Sequence, residues 1–166
     1  MCCTLLLAYP CEMALPQTSS RVSTPIVWAA ICAACVGGFE GLRTVAYRDP
    51  VGIPTICFGE TQGVKIGDRA TEEQCKALLA DRVFEYGAAV DKCVTAPMSP
   101  QRKAGLTSFT YNVGKSAFCG STLVRKLNAG DPKACSELLR WTRAHGIELP
   151  GLVKRRREEY KLCLAG

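Results

Sequence analysis

Three residues in the first third of the chain have the types and spacing that glycoside hydrolysis requires. Glu40 ends an apolar stretch, Asp49 follows nine residues later in a turn, and Thr55 lies six residues further on. Cleavage of a glycosidic bond needs a protonated acid for the leaving oxygen and an ionised carboxylate across the sugar. Apolar neighbours such as Val36 and Leu42 favour a protonated Glu40, whereas an exposed turn keeps Asp49 ionised. The bare pattern is also typical of solvated charges.

A helix, a turn and a strand are the elements that must position these side chains. The residues before Glu40 are apolar, and Asp49-Pro50 is typical of a turn. Residues 53–58 then alternate in the manner of a strand, and repeated glycines follow them. We therefore predict a small hairpin or a three-stranded sheet between residues 44 and 68.

The signals after residue 70 are helical. Thr71 and Gln74 form a capping-box pattern, and apolar residues then recur at helical spacing over about twenty residues. Serine, proline and glycine mark the limits of shorter helices, which are predicted over 99–114, 121–128, 131–144 and from 150 onward. The sequence therefore predicts a mainly helical α+β protein with a small β-sheet lobe and a carboxyl-terminal helical bundle.

Length and composition restrict the class of protein. A chain of 166 residues is enough for one domain, or for one domain with two lobes. With 48% apolar and 22% charged residues it is globular, and neither disordered nor a multi-span membrane protein. The net charge of +6 favours an anionic partner such as nucleic acid, anionic lipid or an acidic polymer. A single histidine, His145, disfavours a histidine-rich metal site.

The segment before the candidate acid is uncharged from Val22 to Phe39 and consists mainly of small apolar side chains. As a helix it reaches about 27 Å, which is marginal for a hydrocarbon layer of about 30 Å. A cleaved secretory signal, a retained weak anchor and a first core helix are all open, and retention is favoured. Residues 1–21 are interpreted as an extension, of which the part before Met13 is an upstream addition to the reading frame or an artefact.

Five stretches in the remainder of the chain carry a family resemblance. The first, Gly38 to Gly59, is GFEGLRTVAYRDPVGIPTICFG and contains the acid, the aspartate and the threonine. The others are Ser108–Gly114, Ser121–Leu123 with Lys126–Asn128, Leu139–Thr142 and Leu149–Arg156. Together they resemble the phage-type lysozymes, the endolysins that cut bacterial peptidoglycan. The resemblance covers about residues 36–166 in unbroken order.

This resemblance implies a reaction and the residues that carry it out. The reaction is hydrolysis of the β-1,4 bond between N-acetylmuramic acid and N-acetylglucosamine in peptidoglycan, for host cell lysis, without a metal or other cofactor. Glu40 is then the general acid, Asp49 the second carboxylate, and Thr55 the hydroxyl that helps position the attacking water. Inversion at the anomeric carbon is expected. The candidate substrate-binding residues are Tyr47, Phe58, Tyr111 and Asn112.

The resemblance also implies a two-lobed lysozyme-like fold and a route to the cell wall. The catalytic domain is expected over residues 40–166, with a β-lobe at about 44–68 and a helical lobe at about 95–166. The run 22–39 fits the signal-anchor-release endolysins, whose weakly apolar first helix is held inactive in the inner membrane and later freed into the periplasm. The expected partners are peptidoglycan and, transiently, the inner membrane. We expect a monomer that does not bind nucleic acid.

Eleven cysteines favour an oxidising compartment, although buried free cysteines are an alternative. Cys32 and Cys35 form the single C-x-x-C pair, and no second pair or nearby histidine supports zinc. The disulfide candidates are Cys93 with Cys119, Cys135 with Cys163, and Cys57 with Cys75. Because Cys57 is close to Thr55, a further hypothesis pairs Cys57 with Cys32 or Cys35 and thereby locks the membrane-bound form.

Two other classes of function stay open, and one basic run is interpreted as surface. A lysozyme-like module that binds peptidoglycan without cleaving it is the first alternative, which an intact set of catalytic residues disfavours. A basic nucleic-acid binder is the second, and only the net charge suggests it. The run Lys154–Arg157 stands beside Glu158 and Glu159, which predicts a salt-bridged and solvated helix face.

Overall fold

The computed structural model describes residues 24–49, 52–144 and 146–165. The predicted extension over residues 1–21, the first two residues of the predicted anchor and His145 lie outside the described residues. Within the described ranges the elements are α1 (Thr24–Glu40), β1 (Arg43–Arg48), β2 (Pro54–Cys57), α2 (Glu72–Cys93), α3 (Pro100–Val113), α4 (Lys115–Cys119), α5 (Thr122–Asn128), a 3-10 helix (Ala134–Arg140), β3 (Arg143–Ala144), β4 (Ile147–Glu148) and α6 (Pro150–Leu164). The chain is mainly helical with a small sheet, so the predicted fold class is confirmed.

The predicted sheet is an antiparallel hairpin of β1 and β2. Tyr47 pairs with Thr55, and the register is irregular nearer the start of β1. The chain after β2 meets the hairpin through isolated bridges, between Val45 and Arg69 and between Ile56 and Glu60. Of the two predicted alternatives, the hairpin is therefore the one that forms, since these single bridges make no third strand in this part of the described chain.

The starts of α2, α3 and α5 follow from capping residues seen in the sequence. The Thr71 hydroxyl accepts a hydrogen bond from the Gln74 amide at 3.2 Å, and the Gln74 side chain accepts one from the Thr71 amide at 2.8 Å. This is the predicted capping box, which satisfies two backbone donors at the start of α2. Ser99 caps α3 and Ser121 caps α5 in the same way, through their hydroxyl groups.

The predicted helix over 131–144 is wrong. A 3-10 helix occupies Ala134–Arg140, and the β3–β4 hairpin follows it. Trp141 ends the helical segment, because its backbone adopts ψ 51° and its amide donates to the Leu138 carbonyl three residues earlier. Such short hydrogen-bonded turns rarely continue, so the apolar spacing here did not produce an α-helix.

Two clusters of buried side chains form the core. One fills the helical lobe around Leu106, Phe109 and Phe118. The other lies where α1 and α2 meet the hairpin. From α1 it contains Trp28, Cys32 and Val36. Because these α1 residues are spaced by four, one face of α1 is buried along its length.

Helix α1 packs closely on α2. A Cβ atom on Gly87 would lie 2.2 Å from Cη2 of Trp28, so only glycine admits the indole at this crossing. The opposite side of α1 is exposed and uncharged at Ile26, Ala30 and Ala34. None of the helices in the described ranges combines the length and the apolar character that a membrane span requires.

Within the part of the chain that the structure describes, three disulfides link separate elements. They join Cys57 to Cys75, Cys93 to Cys119, and Cys135 to Cys163. The free thiols within the described residues are Cys32, which is buried, and Cys35, which is partly exposed. The hypothesised disulfide between Cys57 and an α1 cysteine is therefore not formed in this structure, because Cys57 is bonded to α2.

Candidate active site

Glu40 is the last residue of α1 and meets an arginine from the far end of the chain. Gly41 follows at φ 69°, a conformation that glycine adopts readily and that ends the helix directly after Glu40. A carboxylate at this position faces the negative end of the helix dipole, which makes a nearby cation favourable. Arg155 supplies that cation, because its Nη1 donates to Oε1 of Glu40.

The surroundings of Glu40 differ from the apolar pocket that the sequence suggested. Leu42 is exposed, so it does not shield the carboxyl group. The Glu40 side chain is 25% exposed, whereas Arg155 is almost fully buried beside it. The guanidinium also lies 5.2 Å from the centre of the Phe39 ring. Glu40 is therefore held by a buried guanidinium and not only by apolar side chains.

Arg155 is itself held by two further hydrogen bonds. Its Nε donates to Oε1 of Glu159 at 3.0 Å, and its Nη2 donates to the Ser108 carbonyl at 3.0 Å. The Ser108 hydroxyl donates to the same Glu159 oxygen at 2.8 Å. Helices α3 and α6 therefore fix the guanidinium that contacts the end of α1.

The prediction that Lys154–Arg157 forms a solvated face is wrong in part. Arg155, Arg156 and Glu159 are buried, whereas Lys154 and Arg157 are exposed. The charged run is thus divided between the two sides of α6 by the 3.6-residue helical period. The sequence therefore did not predict that Arg155 contacts Glu40.

Asp49 begins the turn between β1 and β2. Its amide donates to the Ile53 carbonyl at 3.0 Å, and its carboxylate oxygen Oδ1 accepts from the Ile53 amide at 2.8 Å. The Gly52 amide donates to the Asp49 carbonyl at 2.9 Å. The carboxylate is therefore anchored to the backbone of its own hairpin, as aspartate commonly is in turns.

Thr55 lies on β2 opposite Tyr47 and is buried. Its hydroxyl donates to the Ile53 carbonyl at 3.0 Å. Tyr47 is partly buried and has the Arg43 guanidinium 4.7 Å from its ring centre. Thr55 and Asp49 thus both bond to Ile53, which places them on one rigid hairpin.

The end of this hairpin reaches Glu40. A Cβ atom on Gly59 would lie 3.6 Å from Oε2 of Glu40. Tyr111 of α3 reinforces the junction, because its hydroxyl donates to the Phe58 carbonyl at 2.7 Å. Burial raises the pKa of Tyr111 well above its usual value, and the nearby charge of Glu40 raises it further. Tyr111 therefore lies close to the candidate acid in its neutral form.

A cleft of about 570 Å³ opens beside Glu40. It lies between the ends of α1 and α3 and the start of α6, and Asn112 and Lys154 line it. The side-chain oxygen Oδ1 of Asn112 accepts a hydrogen bond from Arg156 Nη2. Of the four predicted substrate-binding residues, the structure places Asn112 in this cleft, Tyr111 at the hairpin junction, Tyr47 on β1 and the Phe58 ring in the core.

The described residues contain no group of three or more histidine, cysteine, aspartate or glutamate side chains arranged to hold a metal ion. At the cleft, Glu40 offers a carboxyl group paired with a guanidinium, and the hairpin that meets it through Gly59 carries the Asp49 carboxylate and the Thr55 hydroxyl. An acid at a cleft, with a second carboxylate and a hydroxyl on the adjoining hairpin, can protonate a leaving oxygen and direct a water.

Comparisons with known proteins identify the family of the chain. The Phage lysozyme family model matches residues 37–159. An endolysin of the signal-anchor-release (SAR) type from bacteriophage PS119 is 40% identical over 131 residues, which are 78% of each chain. The SAR-endolysin of enterobacteria phage P21 is 35% identical over 161 residues, 91% of this chain and 98% of the relative. The solved endolysin from Escherichia coli O157:H7 phage FAHEc1 superposes with a TM-score of 0.73 at 33% identity, covering 81% of this chain and 90% of that one.

Proposed function

This chain belongs to the phage lysozyme family and is a peptidoglycan-hydrolysing endolysin, a muramidase, and we propose that Glu40, Asp49 and Thr55 carry out its reaction. The observation that carries the assignment is the position of Glu40, which ends α1 at a cleft and meets both Arg155 and Gly59, just after the end of β2. The bond cleaved is the β-1,4 linkage between N-acetylmuramic acid and N-acetylglucosamine.

Glu40 acts as the general acid in this proposal. Arg155 donates to Oε1, so the proton that passes to the glycosidic oxygen belongs on Oε2. Gly59 carries no side chain, which leaves room beside Oε2 for the sugar oxygen. The pair of Arg155 and Glu40 fixes the direction in which the proton is delivered, and positioned proton transfer contributes about 10²–10⁴-fold to a rate.

Asp49 and Thr55 act together on the attacking water. The carboxylate of Asp49 stabilises positive charge that develops at the anomeric carbon and accepts the proton of the attacking water. The Thr55 hydroxyl orients that water, and both groups are held at fixed positions through Ile53. Attack by water opposite the leaving oxygen inverts the anomeric configuration.

Lysis of purified peptidoglycan by charge-neutral variants tests these roles. We expect Glu40→Gln and Asp49→Asn each to lower the lytic rate by about 10²-fold or more, and Thr55→Val to lower it more than Thr55→Ser. Glu158→Gln is the matched control, because Glu158 is a half-exposed carboxylate on α6 that pairs with Lys161. A Glu40→Gln variant that lyses walls at the wild-type rate would refute the assignment.

We further propose that α1 first holds the enzyme inactive at the inner membrane and is then released into the periplasm. Relatives named SAR-endolysins support this, and so does the exposed side of α1, which is apolar at Ile26, Ala30 and Ala34. Small side chains give little transfer free energy to a bilayer, which favours escape. The three disulfides suit an oxidising compartment such as the periplasm.

An exposed α1 position separates membrane retention from folding. Ala30 is exposed in the folded enzyme, so Ala30→Lys leaves the core intact. In a bilayer the same lysine costs about 2.5–3.5 kcal/mol near the centre of a span. We expect Ala30→Lys to move the protein from the membrane to the soluble fraction with unchanged activity, and Ala30→Leu to increase retention. Equal fractionation of the two variants would refute anchoring through α1.

A further inference from the structure

Helix α6 buries three charged side chains against α3 and the end of α1. Arg156 and Glu159 are fully buried, and Arg155 is nearly so. Burial of charge is costly, and apolar side chains of similar volume often stabilise a fold equally well. The muramidase chemistry described above uses none of the atoms of Glu159 directly. A buried carboxylate in this position therefore calls for a role beyond packing.

Glu159 lies between two guanidinium groups. Its Oε1 accepts from Ser108 Oγ at 2.8 Å and from Arg155 Nε at 3.0 Å. Its Oε2 is 2.9 Å from Arg156 Nη1. Burial raises the pKa of Glu159, but a hydroxyl and two guanidinium groups surround the carboxylate, which is the environment of an ionised acid.

The contacts of Arg155 show how Glu159 reaches the acid. The guanidinium is planar, so the bonds of Nε to Glu159 and of Nη2 to the Ser108 carbonyl fix its plane. The remaining nitrogen, Nη1, then points at Oε1 of Glu40. Without Glu159, Arg155 would lose one of the two contacts that aim it.

The charge balance gives Glu159 a second effect on Glu40. Arg155 contacts Glu40 directly, and Arg156 follows Arg155 on the same helix, so two positive charges lie near the acid. The negative charge of Glu159 lies between these two guanidinium groups and offsets part of their positive field. Removal of Glu159 would leave two uncompensated positive charges beside the acid.

Glu159 is therefore, we propose, a positioning residue of the muramidase reaction, which aims Arg155 at Glu40 and offsets the arginine charge beside the acid. This inference rests on the proposed role of Glu40 as the general acid. Ser108 assists, because its hydroxyl donates to Glu159 and its carbonyl accepts from Arg155.

The other titratable groups that face Glu40 and Glu159 keep a constant charge over the pH range of the lytic assay. From α1, Cys32 and Cys35 face Glu159, and burial raises the pKa of Cys32 to about 12 and that of Cys35 above its usual value. From α3, Tyr111 faces Glu40, and burial raises its pKa as well. Burial lowers the pKa of Arg156 to about 10, so Arg156 stays protonated below that pH. Glu40 and Glu159 are the acids of this cluster within the described residues.

The pH dependence of the lytic rate tests the inference with three variants of the full chain. Glu159→Gln keeps the shape of the side chain and removes its charge. We therefore expect the alkaline limb of the curve of lytic rate against pH to move to lower pH by roughly one pH unit. Glu159→Asp keeps the charge with a shorter reach, so its alkaline limb stays at the wild-type position even if its rate falls. Arg156→Gln removes a positive charge and moves the limb to higher pH.

The outcomes separate this inference from the catalytic assignment. A role confined to packing lowers the rate of Glu159→Gln at every pH and leaves the limb in place, which would overturn the inference. If Glu159→Gln does not fold, Arg156→Gln decides, since an unmoved limb in that variant refutes the charge effect. Glu40→Gln is measured in parallel. If Glu40→Gln is active, the proposed function itself is contradicted. If Glu40→Gln is inactive but the limbs of Glu159→Gln and Arg156→Gln do not move, only the role of Glu159 is contradicted.

Discussion

At the scale of single residues, the space beside Oε2 of Glu40 depends on Gly59. Gly59 has φ 90°, and a Cβ atom there would lie 3.6 Å from Oε2. We predict that Gly59→Ala lowers the free energy of unfolding by about 1–2 kcal/mol, because the left-handed backbone is strained for an L side chain. We also expect a large loss of lytic activity, because the methyl group occupies the place of the sugar oxygen. Thermal unfolding and wall lysis measure the two effects.

Gly63→Ala is the matched control for this substitution. Gly63 has φ 71° in the following turn, and a Cβ atom there would meet no neighbour. The two variants therefore share backbone strain but differ in their distance from the acid. Equal activity of the two variants would show that the space beside Glu40 is not needed for the reaction.

The candidate site could be predicted from the sequence only where its parts are close in the chain. Glu40, Asp49 and Thr55 lie within sixteen residues, so a helix, a turn and a strand were enough to associate them. Arg155 reaches Glu40 only through the tertiary fold, and its neighbours in sequence made it look like surface charge. A signal was present, because Arg156 and Glu159 stand at the helical spacing of buried Cys163, on the face that packs inward.

At the scale of elements, Trp28 fastens α1 to the rest of the enzyme. Its indole lies against Gly87 of α2, with the Phe84 ring edge-on at 5.6 Å and the Lys103 ammonium 4.2 Å from the ring centre. Because α1 ends at Glu40, weaker docking of α1 displaces the acid. We predict that Trp28→Ala costs about 3–5 kcal/mol of stability, lowers lytic activity, and speeds alkylation of the buried thiol of Cys32.

Ile26→Ala is the control on the same helix. Ile26 is 57% exposed, so its truncation should change the stability by less than about 0.5 kcal/mol and leave Cys32 protected. Mass spectrometry after timed alkylation gives the labelling rate of each thiol. If Cys32 reacts at the same slow rate in both variants, Trp28 does not control the docking of α1.

The elements that the sequence predicted well are those with local start and stop signals. The capping residues Thr71, Ser99 and Ser121 satisfy backbone donors wherever they occur, so α2, α3 and α5 began as expected. The region after Pro132 could not be predicted in this way. Its apolar spacing suits an α-helix and a 3-10 helix equally, and the choice depends on tertiary packing against α5 and α6.

At the scale of the whole molecule, the disulfides affect stability and activity differently. Cys57–Cys75 ties β2 to α2, whereas Cys93–Cys119 and Cys135–Cys163 join helical elements of the other lobe. We predict that replacing either cysteine pair of the helical lobe by serine lowers stability by about 3 kcal/mol with little loss of activity below the unfolding transition. Loss of Cys57–Cys75 should cost a similar amount and also lower activity, because β2 carries Thr55. Calorimetry and wall lysis at low temperature check this, and equal activity of the three variants would contradict it.

A thiol that the catalytic reaction does not use contributes to the stability of the fold at alkaline pH. Burial raises the pKa of Cys32 to about 12, from 9.0 for a free thiol. Between these values the folded chain keeps the proton and the unfolded chain releases it, so unfolding becomes more favourable as pH rises. The stability that the neutral thiol contributes is complete below pH about 9 and is lost progressively towards pH about 12.

We therefore predict that wild-type stability falls more steeply above pH about 9 than that of Cys32→Ala, by up to about 1.4 kcal/mol per pH unit. Below that pH the difference between the two chains should be constant, since the thiol is neutral in both states. Cys35→Ala is the control. Burial also raises the pKa of Cys35, but Cys35 is only partly buried, so its replacement should change the slope less than that of Cys32. Urea unfolding at a series of pH values, with the disulfides verified by mass spectrometry, measures the slopes. Parallel curves for wild type and Cys32→Ala would mean that Cys32 ionises as readily in the folded enzyme as in the unfolded chain, and that α1 does not exclude water from its buried face.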